Sequence, residues 1–126
     1  MNHTLRLKDL QSLHISLKSK KQNGDSVATA VWFAAVGGHL FVRTTATSGK
    51  IKRINRYSEI SITCCDAAGV IAGEPIECQA MVLANNDPDI DQAEIALQQK
   101  YGEERTKMTQ MMTEQQMPLA YIKIYQ

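Results

Sequence analysis

The sequence has 126 residues, of which 44% are apolar and 21% are charged, and its formal net charge at pH 7 is +1. This length fits one compact domain, and the composition is that of a globular protein and not of a disordered or fibrous one. The small net charge argues against a dedicated nucleic-acid-binding protein, and no apolar run or leader of the kind that inserts into a membrane is apparent. We therefore expect a single cytoplasmic domain, residues 1–126, that binds neither nucleic acid nor membrane.

Three cysteines occur, two of them adjacent as Cys64-Cys65 and the third at Cys78. Neighbouring cysteines can bridge only through a strained ring, so this arrangement does not predict a disulfide framework. No Cys-x-x-Cys motif is present, and the three histidines are scattered along the sequence. The sequence therefore predicts free, buried thiols and no metal site.

Periodicity and turn signals predict the elements of the first half of the chain. Asn23-Gly24 and Gly37-Gly38 are tight-turn signals, and each lies between two strand-like segments. The middle segment is rich in β-branched and aromatic residues, which is typical of a strand covered on both faces. We expect a short helix over Leu5–Leu13 and then a three-stranded antiparallel meander of His14–Lys20, Val27–Ala34 and Leu40–Thr44.

The second half continues with strands and two helical segments. Acidic residues and Pro88 mark the start of the longer helix, because they suit the positive end of a helix dipole. The predicted elements are a short helix over Gly49–Asn55, strands over Glu59–Cys65 and Ile76–Leu83, a helix from Asp87 to Met112 with a break near Gly102, and a strand over Leu119–Tyr125. Strands outnumber helices and the connections are short, so the expected fold is mainly β, an antiparallel barrel with flanking helices.

Residues 43–56 carry the most specific chemistry, because hydroxyls, a glycine and five cations occur there without an acidic side chain. A phosphate group requires fixed N–H and O–H donors and a nearby cation, and Ser48, Gly49 and Lys50 supply all three. If Ser48 caps the helix that follows, the free amides of the first turn also point at the anion. The same residues are equally compatible with a capped surface helix that has a solvated basic face.

Three segments together resemble the pyridoxamine 5'-phosphate oxidase-like superfamily of FMN-binding split barrels. They are residues 27–33, 40–44 and 48–54, and the run Ser-Gly-Lys-x-Lys-Arg at its distance from Trp32-Phe33 is the most specific of them. Within the superfamily, the sequence is most similar to the deazaflavin (F420)-dependent branch. The resemblance extends over most of the chain.

The resemblance implies a six-stranded antiparallel split barrel that works as a homodimer, with FMN or F420 in each of two clefts between the subunits. By position, the cofactor phosphate would be held by Thr44, Ser48, Gly49 and Lys50, with Arg43 and Arg53 as further cations. The ring system or its ribityl chain would lie along Ala28, Thr29, Val31 and Trp32. The pyridoxal-phosphate contacts of the oxidase itself are not recognisable, so vitamin B6 oxidation is not implied.

A bound flavin or deazaflavin would itself carry the redox chemistry, which is hydride transfer to or from a small-molecule substrate. The sequence shows no Ser/His/Asp or Cys/His constellation that would indicate another mechanism. The favoured function is therefore an FMN- or F420-dependent oxidoreductase with no catalytic side chain identified. Two alternatives stay open: a non-catalytic flavin carrier or sensor, and a phosphate- or polyanion-binding module without a redox role.

Overall fold

The computed structural model describes residues 12–126. It contains strands β1 (His14–Lys20), β2 (Ser26–Val31), β3 (Ala34–Val36), β4 (His39–Thr45), β5 (Glu59–Cys65), β6 (Ile76–Val82) and β7 (Leu119–Tyr125), and helices α1 (Gly49–Arg56), α2 (Asp89–Tyr101) and α3 (Glu103–Glu114). The helix predicted over Leu5–Leu13 lies outside the described residues except for Ser12 and Leu13, which form a bend.

The seven strands form one sheet, and this sheet is curled. The two strands at its edges follow each other closely in the chain, which brings the edges together. The order is β2-β1-β5-β6-β7-β4-β3, and every neighbouring pair is antiparallel. The outermost strands β2 and β3 are separated only by Trp32 and Phe33. Three residue steps span at most about 11 Å, so the two edges of the sheet must approach each other. The expected mainly β barrel with flanking helices is confirmed.

One predicted strand differs from the structure. The segment Val27–Ala34 is broken at Trp32-Phe33, and its first part pairs with β1 whereas its continuation pairs with β4. Residues 12–126 therefore form seven barrel strands instead of the expected six, although both hairpins of the predicted meander are present. The expectation that this strand is covered on both faces is wrong for the single chain, since β2 has no fully buried residue.

The barrel interior is filled by alternate side chains of the strands. Ile15, Leu17, Ile62, Ile122 and Ile124 are completely buried there. On a strand, every second residue points to the same face, and the alternation in the sequence therefore places these side chains inside. Burial of this apolar surface is the main contribution to the stability of the fold.

Two further contacts position the helices. On α1, Ile51 and Ile54 enter the main core, which fixes the helix against the barrel. A smaller cluster of Phe41, Leu83 and Ala93 holds α2 against the outer face of the sheet.

Gly102, with a φ of 58°, separates α2 from α3, in agreement with the break predicted near this residue. Within residues 12–126, no helix is long and apolar enough to cross a membrane.

Candidate functional site

The start of α1 brings three of the predicted phosphate-binding residues together. Ser48 is the N-cap, and its Oγ accepts a hydrogen bond from the backbone N–H of Lys50 at 3.3 Å. The Lys50 Nζ donates to Ser48 Oγ at 3.0 Å and to Thr44 Oγ1 at 3.2 Å. Burial lowers the pKa of Lys50, and the nearby Arg53 lowers it further. Within residues 12–126, the cluster therefore holds a partly buried cation whose hydrogen-bond partners are two hydroxyls and no carboxylate.

Gly49 and Arg53 lie on the other side of this helix start. A Cβ at Gly49 would come within 2.8 Å of Arg53 Nη1, so the guanidinium lies directly against the glycine. The Arg53 Nε donates to the buried Ser19 Oγ at 2.7 Å. Both residues line an open depression of about 260 Å³, whose other lining residues are Lys20, Lys21, Gln22, Lys52 and Arg56. Arg53 is thus anchored beside the cluster through its hydrogen bond to Ser19.

The predicted residues on β2 are divided between the two faces of the strand. Ala28 is exposed and pairs with Lys18 of β1, whereas Thr29 pairs with Leu17. The Thr29 Oγ1 is buried and has no hydrogen-bond partner among the described residues. A buried hydroxyl without a partner carries an energetic cost, which a ligand that reaches it can remove.

A cavity of about 330 Å³ lies beside the cluster, at the low end of the range for small-molecule sites. Thr44 belongs to both, since it lines the cavity and accepts the hydrogen bond from Lys50. The remaining lining residues are His14, Ala30, Val31, Trp32, Arg43, Thr45, Ala67, Leu97, Arg105, Met108 and Met112. The predicted residues Val31, Trp32, Arg43 and Thr44 therefore share one cavity.

Trp32 is fixed in the wall of this cavity by two contacts. Its ring stacks on Tyr101 with centroids 4.4 Å apart, and its Nε1 donates to His14 Nε2 at 3.0 Å. The Tyr101 hydroxyl in turn donates to the carbonyl of Leu13 at 2.7 Å and accepts from the backbone N–H of Phe33 at 2.8 Å. Sequence reasoning did not assign Tyr101 a role. The break in the barrel strand at Trp32-Phe33 is thus held by a helix residue.

Lys100, the neighbour of Tyr101, is a second residue that sequence reasoning missed. Its Nζ donates to the carbonyls of Ser12 and Phe33, both at 2.9 Å, and lies 3.3 Å from the centre of the Phe33 ring. Burial lowers the pKa of Lys100 to about 8. An isolated Lys-Tyr pair near the end of a helix gives no sequence signal for such a position.

Arg43 does not join the Lys50 cluster through any hydrogen bond, and its ionic partner is Glu94 on α2. Its Nη1 lies 3.9 Å from Glu94 Oε1. Glu94 is also bound by Arg105 of α3 and by the Tyr121 hydroxyl. Burial lowers the pKa of Arg43, and the charge of Arg105 adds to this effect. Neither Glu94 nor Arg105 was predicted, because both look like ordinary charged residues of a solvated helix.

The groups available for chemistry are an anion-binding cluster, an aromatic wall and an arginine pair. Within residues 12–126, no group of three or more histidine, cysteine and acidic side chains is arranged to hold a metal ion. Cys65 and Cys78 are buried, and burial raises the pKa of the Cys78 thiol to about 12, so it stays protonated at neutral pH. The donor set at the start of α1 fits a phosphate, and the adjoining cavity fits an apolar or aromatic ring.

Comparison with known proteins shows a fold similarity without close sequence similarity. No protein-family model matches the sequence, and no curated protein sequence matches it. Solved structures similar to the chain include the heme storage protein HutZ from Vibrio cholerae, with a TM-score of 0.69 and 11% identity over 91% of this chain and 82% of that protein. A candidate pyridoxamine 5'-phosphate oxidase from Listeria innocua has a TM-score of 0.59 and 16% identity over 89% of this chain and 82% of its own.

A third similar structure is an F420 reductase, with a TM-score of 0.57 and 15% identity over 91% of this chain and 86% of that chain. These identities are too low to transfer an activity, but the shared architecture agrees with the family resemblance in the sequence. The chain has the split-barrel fold of the pyridoxamine 5'-phosphate oxidase-like superfamily.

Proposed function

We propose that this protein is an oxidoreductase that binds FMN or the deazaflavin F420 and transfers hydride to or from a small-molecule substrate. The observation that carries the proposal is the cluster of Thr44, Ser48 and Lys50 at the start of α1. Both cofactors have a phosphate on a ribityl arm, and the cluster offers two hydroxyls, one ammonium group and the positive end of a helix dipole.

The surroundings of the cluster also suit this ligand. The Lys50 ammonium is partly buried, and burial lowers its pKa, so a phosphate bound there would stabilise its charged form. The guanidinium of Arg53 lies directly against Gly49, which places a second positive charge beside the first turn of α1. These features support a phosphate ligand better than they support a solvated basic face.

The chain's own part in the reaction is to bind, orient and exclude water. When bound, either cofactor would supply the hydride chemistry. Thr44 connects the cluster to the adjoining cavity, where Val31 and Trp32 present an apolar wall to the ring. The stack on Tyr101 and the hydrogen bond to His14 keep the Trp32 indole in one orientation. A fixed wall of this kind restricts the ligand's position and supports productive alignment.

We propose that the functional unit is a homodimer, as the family resemblance implies. Large apolar side chains are exposed on the single chain, among them Val70, Ile71, Met108 and Met111. Met108 also lines the cavity, so a second subunit on this face would lie close to the site. Light scattering of the purified protein gives the mass directly, and a monomer at micromolar concentration would contradict this part of the proposal.

The test of cofactor binding is an absorption spectrum of the purified protein, followed by titrations with FMN and with F420. We expect micromolar or tighter binding of one cofactor and a loss of at least tenfold in Lys50→Ala, because a charge-assisted contact is lost. The matched control is Lys107→Ala, which removes the same charge from an exposed position on α3 that lines neither the cavity nor the depression at the start of α1. If the folded protein binds neither cofactor, or if both variants behave alike, the proposal is wrong.

Binding alone does not distinguish an enzyme from a carrier. Turnover with candidate substrates separates the two, since a carrier would bind the cofactor without oxidising or reducing a second molecule. Hemin is titrated in parallel, because one protein of this fold stores heme.

A further inference from the structure

The cavity of about 330 Å³ beside the cluster has an unbalanced set of charges in its wall. Two guanidinium groups, those of Arg43 and Arg105, line it, and their side chains are only 8% and 7% exposed. The carboxylate of Glu94 is their only ionic partner among the described residues. The three groups together leave one positive charge, and charges this well buried are stable only with a counter-charge or hydrogen bonds.

Glu94 is largely committed to residues other than Arg43. One of its oxygens pairs with Arg105, and the other accepts a hydrogen bond from the Tyr121 hydroxyl. Arg105 also donates to Gln98 Oε1 at 2.9 Å. Arg43 is 3.9 Å from Glu94, which is an ionic contact beyond hydrogen-bond distance.

The electrostatics of Arg43 agree with an incomplete set of partners. Burial and the nearby positive charge of Arg105 lower the pKa of Arg43, and they outweigh the opposing effects of Glu94 and of the Tyr121 hydroxyl. An anion in the cavity would stabilise the charged form of Arg43 against both its burial and the repulsion from Arg105. A guanidinium presents a planar fork of donors, which matches the two oxygens of a carboxylate.

The other walls indicate what is attached to the anion. Trp32, Leu97, Met108 and Met112 line the same cavity, so most of its surface is apolar or aromatic. Methionine side chains adapt to the shape of a ligand, so Met108 and Met112 accept an apolar body, and the face of Trp32 stays available to the ring of the proposed cofactor. One unbalanced charge matches a monocarboxylate better than a phosphate, which carries up to two charges.

We propose that this cavity binds a small monocarboxylate with an apolar body, and that Arg43 and Arg105 hold its carboxylate. The identification of this molecule as the substrate rests on the proposed oxidoreductase function. The anion site itself does not, because it can be measured in protein without cofactor.

The experiment uses the intrinsic fluorescence of Trp32, which is the only tryptophan of the chain and lines the cavity. Cofactor-free, full-length protein is titrated with benzoate and with benzamide, which has the same shape without the charge. We expect benzoate to change the emission with saturation at millimolar or lower concentration, and benzamide to bind at least tenfold more weakly. Equal binding of the two, or no binding of benzoate up to 50 mM, would overturn the proposal.

Variants then test the residues. Arg43→Gln is expected to weaken benzoate binding about 10- to 100-fold, the effect of losing a charge-assisted hydrogen bond. Lys107→Gln is the matched control, because it removes one positive charge from an exposed position on α3 outside the cavity. Equal affinities in the two variants would contradict the assignment. If Arg43→Gln does not fold, Arg43→Lys replaces it, and we expect a smaller loss because the charge remains while the planar fork is removed.

The possible results separate this proposal from the preceding one. Benzoate binding without uptake of FMN or F420 would support the anion site and refute the flavin-dependent function. Cofactor uptake without benzoate binding would leave the oxidoreductase proposal standing and refute the carboxylate site.

Discussion

The indole ring of Trp32 lies on the phenol ring of Tyr101, with the ring planes 10° apart. The two residues are far apart in sequence. Trp32 lies at the break between β2 and β3, and Tyr101 is the last residue of α2. Tyr101 also binds the backbone of Phe33 and Leu13. The stack therefore joins the end of a helix to the point where the barrel strand changes partners, and it positions one wall of the cavity.

Tyr101→Phe keeps the aromatic stack and removes the hydroxyl. The carbonyl of Leu13 and the N–H of Phe33 then lose a partner, and we expect the free energy of unfolding to fall by about 1–3 kcal/mol. Urea denaturation followed by circular dichroism measures this change. Tyr125→Phe is the control, since no hydrogen bond of the Tyr125 hydroxyl occurs within residues 12–126. A loss of equal size in the control would show that the Tyr101 contacts have no special weight.

Lys100 should produce a dependence of stability on pH. Its pKa is about 8 in the folded chain, where burial lowers it, and near 10.5 when unfolded. Between these values the unfolded chain binds more protons, so the contribution of Lys100 to the free energy of unfolding rises with pH by less than about 1.4 kcal/mol per pH unit. Below pH 8 both states are protonated, and the burial cost is present in full.

The measurement compares the wild type with Lys100→Met at pH 7 and pH 9.5. We expect the wild type to gain stability relative to the variant between these pH values. The difference between the two proteins is needed because the raised pKa of Cys65 and of Cys78 acts in the opposite direction in this range. A stability difference that does not change with pH would exclude Lys100 as the titrating group.

The interior of the barrel gives a third prediction. Ile62 is completely buried in the main core, and Ile62→Ala should lower the free energy of unfolding by about 2–5 kcal/mol through lost burial and the cavity left behind. Ile71→Ala removes the same atoms from a side chain that is 57% exposed, and we expect a change below about 0.5 kcal/mol. A chemical denaturation curve for each variant decides the matter. If both variants lose a similar amount of unfolding free energy, Ile71 is also buried in solution, for example against a second subunit.

Strand limits could be predicted from the sequence because they depend on local patterns. The alternation in Glu59–Cys65 and Leu119–Tyr125 gave both strands with their observed limits. Ser48 could be identified as a cap for the same reason, since the hydroxyl acts on a residue two positions away. The break at Trp32-Phe33 could not be predicted in this way. It arises because β2 pairs with β1 and β3 pairs with β4, which lie near opposite ends of the sheet.

In the candidate site, too, contacts between residues close in sequence could be predicted and contacts between distant residues could not. Thr44, Ser48 and Lys50 lie within seven residues of one another, and a helix start placed after a strand end brings them together. The network of Arg43, Glu94 and Arg105 extends over 62 positions, and only the packing of α2 and α3 on the barrel creates it. No local pattern indicates that the side chains of Arg43 and Arg105 face a cavity.

Ser48→Ala tests the link between helix capping and ligand binding. The variant loses the side-chain acceptor for the Lys50 N–H, and we expect a loss of about 1 kcal/mol in the free energy of unfolding. It also loses one of the two hydroxyls that position the Lys50 ammonium, so the affinity for FMN or F420 should fall by more than the stability change alone explains. Thr47→Ala is the matched control, because Thr47 is the exposed neighbour of the cap. Stability is measured by denaturation without cofactor and affinity by titration. If stability falls and affinity does not, Ser48 is a helix cap without a part in binding.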